Sequence, residues 1–101
     1  TDTETGYCTN TKTEVSSQLF ELMQQFYEVF PRQLENELII TGESYAGHYV
    51  PGLAMKIHEE NARGEAKYTI PMTSLSIGDG WVDPYTQLGA YPDMLMDIGV
   101  S

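Results

Sequence analysis

Between Glu14 and Phe30 the apolar residues Val15, Leu19, Leu22, Met23, Phe26, Tyr27 and Phe30 recur at three- and four-residue steps, with Gln18, Glu21, Gln24, Gln25 and Glu28 opposite. This is the period of one helical face and predicts an amphipathic helix, with Thr13 as its N-cap and Pro31 as its stop. Ahead of it, Thr1 to Thr13 is rich in Thr, Asp, Glu, Gly and Asn without periodicity and reads as an exposed loop. The pattern then changes: Glu37 to Thr41 contains the unbroken run Leu38-Ile39-Ile40, as expected of a strand buried on both faces in a parallel sheet. Helical spacing returns at Val50, Leu53, Ala54, Ile57 and His58, and Asn61 to Gly64 closes that element with a turn signal. Pro51 is tolerable near the first turn of such a helix and less so deeper.

Ser74-Leu75-Ser76-Ile77, bounded by Gly78-Asp79-Gly80, suggests a second strand. The order strand, helix, strand implies a right-handed parallel crossover, which makes the fold class α/β. Pro84 and Pro92 each stand where a short helix can begin, and Gly89 and Gly99 where each can end. Two strands with one helix in front cannot cover both faces of a parallel sheet or pair its edges. The chain, which does not start with Met, is therefore expected to be an internal segment of a larger α/β domain whose missing neighbours supply further strands.

The 101 residues are 41% apolar and 11% aromatic, a globular composition that argues against disorder. Fifteen Asp and Glu against five Lys and Arg give a net charge of -10. The cations Lys12, Arg32, Lys56, Arg63 and Lys67 are scattered and form no basic stripe, so neither nucleic acid nor an anionic membrane surface is an expected partner. No apolar run approaches the ~18 to 20 residues needed to cross a bilayer, and the polar start is not a signal peptide. Cys8 is the single cysteine, so it has no internal disulfide partner; with His48 and His58 it falls short of the about four ligands of a structural zinc site. No metal or cofactor is expected. Asn10, Asn36 and Asn61 each lack Ser or Thr two places on, so the window holds no N-glycosylation acceptor.

The chemistry concentrates in Gly42-Glu43-Ser44-Tyr45-Ala46-Gly47, between the first strand and the helix. A serine at such a turn is a nucleophile elbow: the bend presents its hydroxyl at the C-terminal edge of the sheet, and small neighbours let strand and helix approach. Gly42, Ala46 and Gly47 supply the small residues, Ala46 standing where the common pattern has a second glycine. The backbone N–H of Tyr45, at a helix N-terminus, would point at the oxyanion of a tetrahedral intermediate, a donor worth about 3 kcal/mol. The second oxyanion donor must come from elsewhere. A bare Gly-x-Ser-x-small string also arises by chance, and its placement between strand and helix is what favours catalysis.

The stretch Gly42-Glu43-Ser44-Tyr45-Ala46-Gly47-His48-Tyr49-Val50-Pro51 resembles the nucleophile motif of the serine carboxypeptidase family, and Ile77-Gly78-Asp79-Gly80-Trp81-Val82-Asp83-Pro84 resembles a second signature some thirty residues on. Six specified letters arise by chance at on the order of one in ten million positions. The helix ending in Phe30-Pro31 also fits the family's run-up to the motif, and Gly-Asp-Gly, where many members carry Gly-Asn-Gly, is nearest the vitellogenic-like branch. The resemblance implies that residues 1–101 are the central part of one α/β-hydrolase domain several times longer, which removes C-terminal residues from peptides in an acidic secretory, lysosomal, vacuolar or extracellular setting. It assigns Ser44 as nucleophile, Tyr45 as oxyanion N–H and Glu43 as the acid that helps hold the substrate's terminal carboxylate. Two carboxylates in contact bind only by sharing a proton, which fits acidic working conditions. Glu43 as an ordinary solvated residue of the turn is the competing reading.

The resemblance places the triad Asp and His beyond Ser101, so the isolated segment is expected to be inactive. His48 lies one helical turn after Ser44, along the helix rather than across from the hydroxyl, and His58 reads as a surface or half-buried residue. Asp79 and Asp83 are expected to shape the strand-to-helix turn, Asp83 as an N-cap before Pro84. Trp81 suits a pocket wall and simple packing equally. An acyltransferase on the same scaffold, in which an alcohol replaces water, and a non-catalytic homologue used for binding both remain compatible with these residues. Side-chain preference and oligomeric state are not encoded in the segment.

Overall fold

The structure, a computed structural model, describes residues 13–99; the loop expected at the start and Cys8 lie outside them, save Thr13 itself. The elements run α1 (Glu14–Val29), a 3₁₀ turn (Pro31–Glu35), β1 (Leu38–Glu43), α2 (Ala46–Arg63), β2 (Met72–Gly78), α3 (Pro84–Gly89) and α4 (Tyr91–Asp97). The two strands are parallel neighbours in a two-stranded sheet, and both outlast the runs expected from their apolar cores. Register runs from Leu38 opposite Met72 to Glu43 opposite Gly78, with Thr73 as the extra residue where it shifts between Leu38 and Ile39.

α1 begins at Thr13, whose carbonyl accepts from Ser17 N–H, and ends before Pro31, which opens the 3₁₀ turn. Its buried strip overlaps the expected face only in part, at Tyr27, which is buried, and Met23, which packs against the core. Ser16, Phe20 and Tyr27 are buried, while Leu22, Phe26 and Phe30 remain exposed. Apolar residues span about half of the helix circumference, and the strip that is buried or packed on the core, through positions 16, 20, 23 and 27, lies at one edge of that arc. Burial raises the Tyr27 phenol above its ordinary pKa, because desolvation penalises the phenolate.

α2 packs on both strands and on α1. Ile57 and Ile70, the most deeply buried side chains, join Phe20 and Tyr27 in the core, with Leu38, Ile40, Leu53 and Met72 packed against them. Full burial of a side chain such as Ile57 stabilises by about 1.5–3 kcal/mol. Pro51 sits inside α2, deeper than the first turn, and withholds one N–H from the helical ladder. Gly64 closes the helix in the left-handed conformation, φ 72°, its N–H donating to Glu60 O. Near that end, Glu60 accepts from both Lys56 and Arg63, and the Lys56 hydrogen bond foremost holds its carboxyl below the usual value.

The expected burial of β1 on both faces is not what the strand shows. Alternate residues are covered and Ile39 is 54% exposed. Of the helices only α2 packs on the two strands, with α1 behind it and α3 and α4 touching neither strand, so one face of the sheet has no layer among the described residues. α3 and α4 contribute no buried residue, and Tyr85 is 92% exposed. The connection from α2 to β2 is held instead by two carboxamides. Asn61 donates to Ile70 O (2.9 Å) and accepts from Ile70 N–H (3.0 Å), and Gln24 does the same for Tyr68 (2.9 and 3.0 Å). Each imitates a ladder partner where no strand is present.

Candidate active site

β1 leads straight into the turn at Ser44, and α2 begins two residues later. Ser44 is exposed and has φ 58°, the left-handed region that a residue bearing a Cβ enters at a cost of roughly 1–2 kcal/mol. Two backbone hydrogen bonds hold it there: Ser44 N–H donates to Gly78 O (3.0 Å), and Ser44 O accepts from Trp81 N–H (2.8 Å). Gly47 N–H also donates to Ser44 O (3.0 Å), winding the chain into α2.

Small residues around the bend are a steric necessity. A Cβ on Gly42 would lie 2.4 Å from Ala46 Cβ and 2.8 Å from Val50 Cγ2. One on Gly47 would lie 2.7 Å from the backbone N and O of Trp81, and one on Gly80 would meet Ile77 Cγ2 at 2.4 Å. Ala46 Cβ is the atom that a Cβ on Gly42 would strike first, so strand and helix meet there through the hydrogen of Gly42 and the methyl of Ala46.

Tyr45 occupies the N-cap of α2, and among the described residues its backbone N–H carries no hydrogen bond. His48 N–H donates to Tyr45 O (2.9 Å), and the His48 ring lies against the Tyr45 ring with centroids 4.9 Å apart. His48 thus stacks along the helix, as its spacing implies, and His58 is exposed. Glu43 ends β1 opposite Gly78 and is exposed beside Ser44.

Asp79 follows β2 with φ 43°, the second left-handed residue other than glycine among those described. It turns the chain so that Trp81 N–H reaches Ser44 O, which makes the turn-shaping role expected of Asp79 a bracing of the serine itself. The Trp81 side chain is partly exposed, 37%, while its backbone does the bracing. Gln87 stitches the same segment from the other side, donating to Gly80 O (2.7 Å) and accepting from Val82 and Asp83 N–H (2.8 and 2.9 Å). Asp83 is extended at the N-cap of α3, and the Thr86 hydroxyl donates to its carboxylate. That bond, helped by the backbone amides of Thr86 and Tyr85, holds its carboxyl below the usual range, although neither amide makes a regular cap hydrogen bond. The bracing by Trp81 and Gln87 has no signature in hydrophobic period; its trace in the sequence is Gly47, which lies against the Trp81 backbone.

A left-handed, exposed serine between a parallel strand and a helix, with small residues on both sides, is the elbow geometry of the α/β-hydrolase fold. The chain belongs to the serine carboxypeptidase family, whose model matches residues 1–101. It is 40% identical over 100 residues to the probable serine carboxypeptidase CPVL of Homo sapiens, covering 99% of this chain and 20% of that protein. It is 39% identical over 89 residues to serine carboxypeptidase-like 49 of Arabidopsis thaliana, covering 88% of this chain and 17% of that one. Among solved structures, Kex1(delta)p, a prohormone-processing carboxypeptidase from Saccharomyces cerevisiae, superposes with a TM-score of 0.81 at 30% identity, over 87% of this chain and 18% of its own. The fold is accordingly a segment of a carboxypeptidase-type α/β hydrolase, and the chain spans about a fifth of the length of these relatives.

Proposed function

We propose that the full-length protein is a serine-type carboxypeptidase and that residues 1–101 form the central part of its single α/β-hydrolase domain. Ser44 attacks the carbonyl of the last peptide bond, an acyl-enzyme forms with release of the C-terminal residue, and water hydrolyses it. The Tyr45 N–H stabilises the oxyanion, and Glu43 holds the terminal carboxylate of the peptide through a shared proton. The base and its orienting carboxylate come from outside this segment, so the 101-residue chain alone leaves Ser44 an ordinary hydroxyl. Peptide or protein C-termini in an acidic secretory-pathway, lysosomal, vacuolar or extracellular setting are the substrates this reading implies. The open sheet face and the uncovered apolar side chains of α3 and α4 support a larger domain around the segment.

The observation that carries the reading is the exposed Ser44 at φ 58°, seated between β1 and the N-terminus of α2. Its test is release of the C-terminal amino acid from N-blocked peptides by the full-length protein at acidic pH. Ser44→Ala is expected to lower kcat by more than about 10⁴-fold. Equal release by the variant would exclude Ser44 as nucleophile.

A further inference from the structure

Ser44 C=O and Tyr45 N–H belong to one peptide unit, and no peptide bond among the described residues is cis. In a planar trans peptide the carbonyl and the N–H point in opposite directions, so whatever fixes Ser44 O also fixes where Tyr45 N–H points. Ser44 O is fixed from two sides, by Gly47 N–H at 3.0 Å within the elbow and by Trp81 N–H at 2.8 Å from the end of the neighbouring strand. The first bond belongs to the winding of α2 and constrains the peptide only as a helix start does. The second ties the same peptide to a different element and determines its tilt.

We propose that the turn Gly78-Asp79-Gly80-Trp81 is a positioning device that aims the Tyr45 N–H, through the hydrogen bond from Trp81 N–H to Ser44 O. The inference rests on the reading of Ser44 as nucleophile and Tyr45 N–H as oxyanion donor. Asp79 is its hinge. Its φ of 43° reverses the chain after β2, a conformation open to Gly, Asn and Asp and closed to β-branched residues. Gly47 permits the approach, since a Cβ on it would collide with the Trp81 backbone, and Gly80 spares the turn a clash with the Ile77 side chain, which a Cβ there would meet at 2.4 Å. Gln87, bonded to Gly80 O and to the amides of Val82 and Asp83, keeps the segment from swinging away. Asp79 and Trp81 act here through the backbone and as positioning residues, touching no reacting atom.

The test uses the full-length protein and separates aiming of the donor from binding of the peptide. Replacing Trp81 by its α-hydroxy acid analogue removes the N–H and keeps the indole. This ester variant is expected to lose at least about tenfold in kcat, a share of the 10²–10³ that removal of an oxyanion donor costs, with KM within twofold. Affinity for an N-acyl amino aldehyde, whose tetrahedral adduct uses the oxyanion donor, should fall by the same factor as kcat. Asp79→Val should behave likewise, and Asp79→Gly and Asp79→Asn should stay within about threefold of wild type. Should Asp79→Val fail to fold, the ester variant and the Gly variant decide. An ester variant with wild-type kcat and aldehyde affinity overturns the inference, as does Asp79→Gly falling tenfold or a KM that rises as far as kcat falls. A wild-type protein that binds no aldehyde and takes no serine-directed adduct at Ser44 removes the underlying reading and the inference with it.

Discussion

Gly47 and Trp81 meet backbone to backbone: a methyl group on Gly47 would stand 2.7 Å from both the amide nitrogen and the carbonyl oxygen of Trp81. The first turn of α2 therefore rests directly on the segment that follows β2, and the two signature stretches of the sequence form one structural unit at the sheet's C-terminal edge.

Gly47→Ala should force these backbones apart. The neighbour is main chain and cannot rotate away, so a stability loss of about 1–3 kcal/mol is expected, at the cost typical of overpacking. The Trp81 to Ser44 hydrogen bond should lengthen and kcat fall. Denaturant midpoints of the full-length protein and of the variant check the stability change; equal midpoints would show that the contact yields freely.

Ser44 stores backbone strain that its hydroxyl does not cause. Ser44→Gly and Ser44→Ala both lack the hydroxyl and should both be inactive, yet only alanine keeps a Cβ at φ 58°. The glycine variant is expected to be more stable than the alanine variant by about 1 kcal/mol, reversing the usual order of these residues in a folded chain. Calorimetry of the two variants side by side measures this, and a more stable alanine variant would mean that the turn is unstrained.

Asn61 is the partner of a buried backbone. Asn61→Ala leaves Ile70 N–H without an acceptor and Ile70 O with Met72 N–H alone, at an expected cost of about 2 kcal/mol. Asn61→Asp keeps the acceptor and loses the donor, so it should fall between alanine and wild type. Urea midpoints of the three proteins give the order, and an alanine variant as stable as wild type would show that water replaces the carboxamide.

Glu43 governs pH dependence on the proposed reading. Its carboxyl and the peptide's terminal carboxylate hold one proton between them, so affinity falls as pH rises and that proton is lost. In Glu43→Gln the amide cannot lose it, and kcat/KM should decline less steeply with pH than in wild type. Identical pH profiles would assign Glu43 to the solvated surface of the turn.

Much of this arrangement is legible in the residues, because local rules and global fold agree there. Pro31, Gly64 and Pro84 mark boundaries by what their backbones forbid or allow, and α1, α2 and the two strands appear where period and breakers place them. The elbow is legible for the same reason, since Gly42, Ala46 and Gly47 answer contacts within 3 Å. What escapes the sequence is set by partners distant along the chain. Which side of α1 is buried depends on where α2 lies, so Phe20 enters the core and Phe26 does not. Glu37 to Thr41 has the composition of a strand covered on both sides, but covering β1 needs a second layer that the described residues do not provide. Gln24, counted on the polar face of its helix, closes the backbone of Tyr68 across 44 positions, a relation no local pattern records.

On the proposed reading Ser44 is an activated nucleophile. Labelling the full-length protein with a fluorophosphonate probe at acidic and neutral pH, followed by peptide mapping, tests it directly, because only a serine activated by a base reacts readily. The expected result is a single adduct on Ser44 that is absent from Ser44→Ala. Folded protein that takes no adduct at either pH, or takes it on another serine, would contradict the assignment and leave the strained turn at Ser44 as architecture inherited without its chemistry.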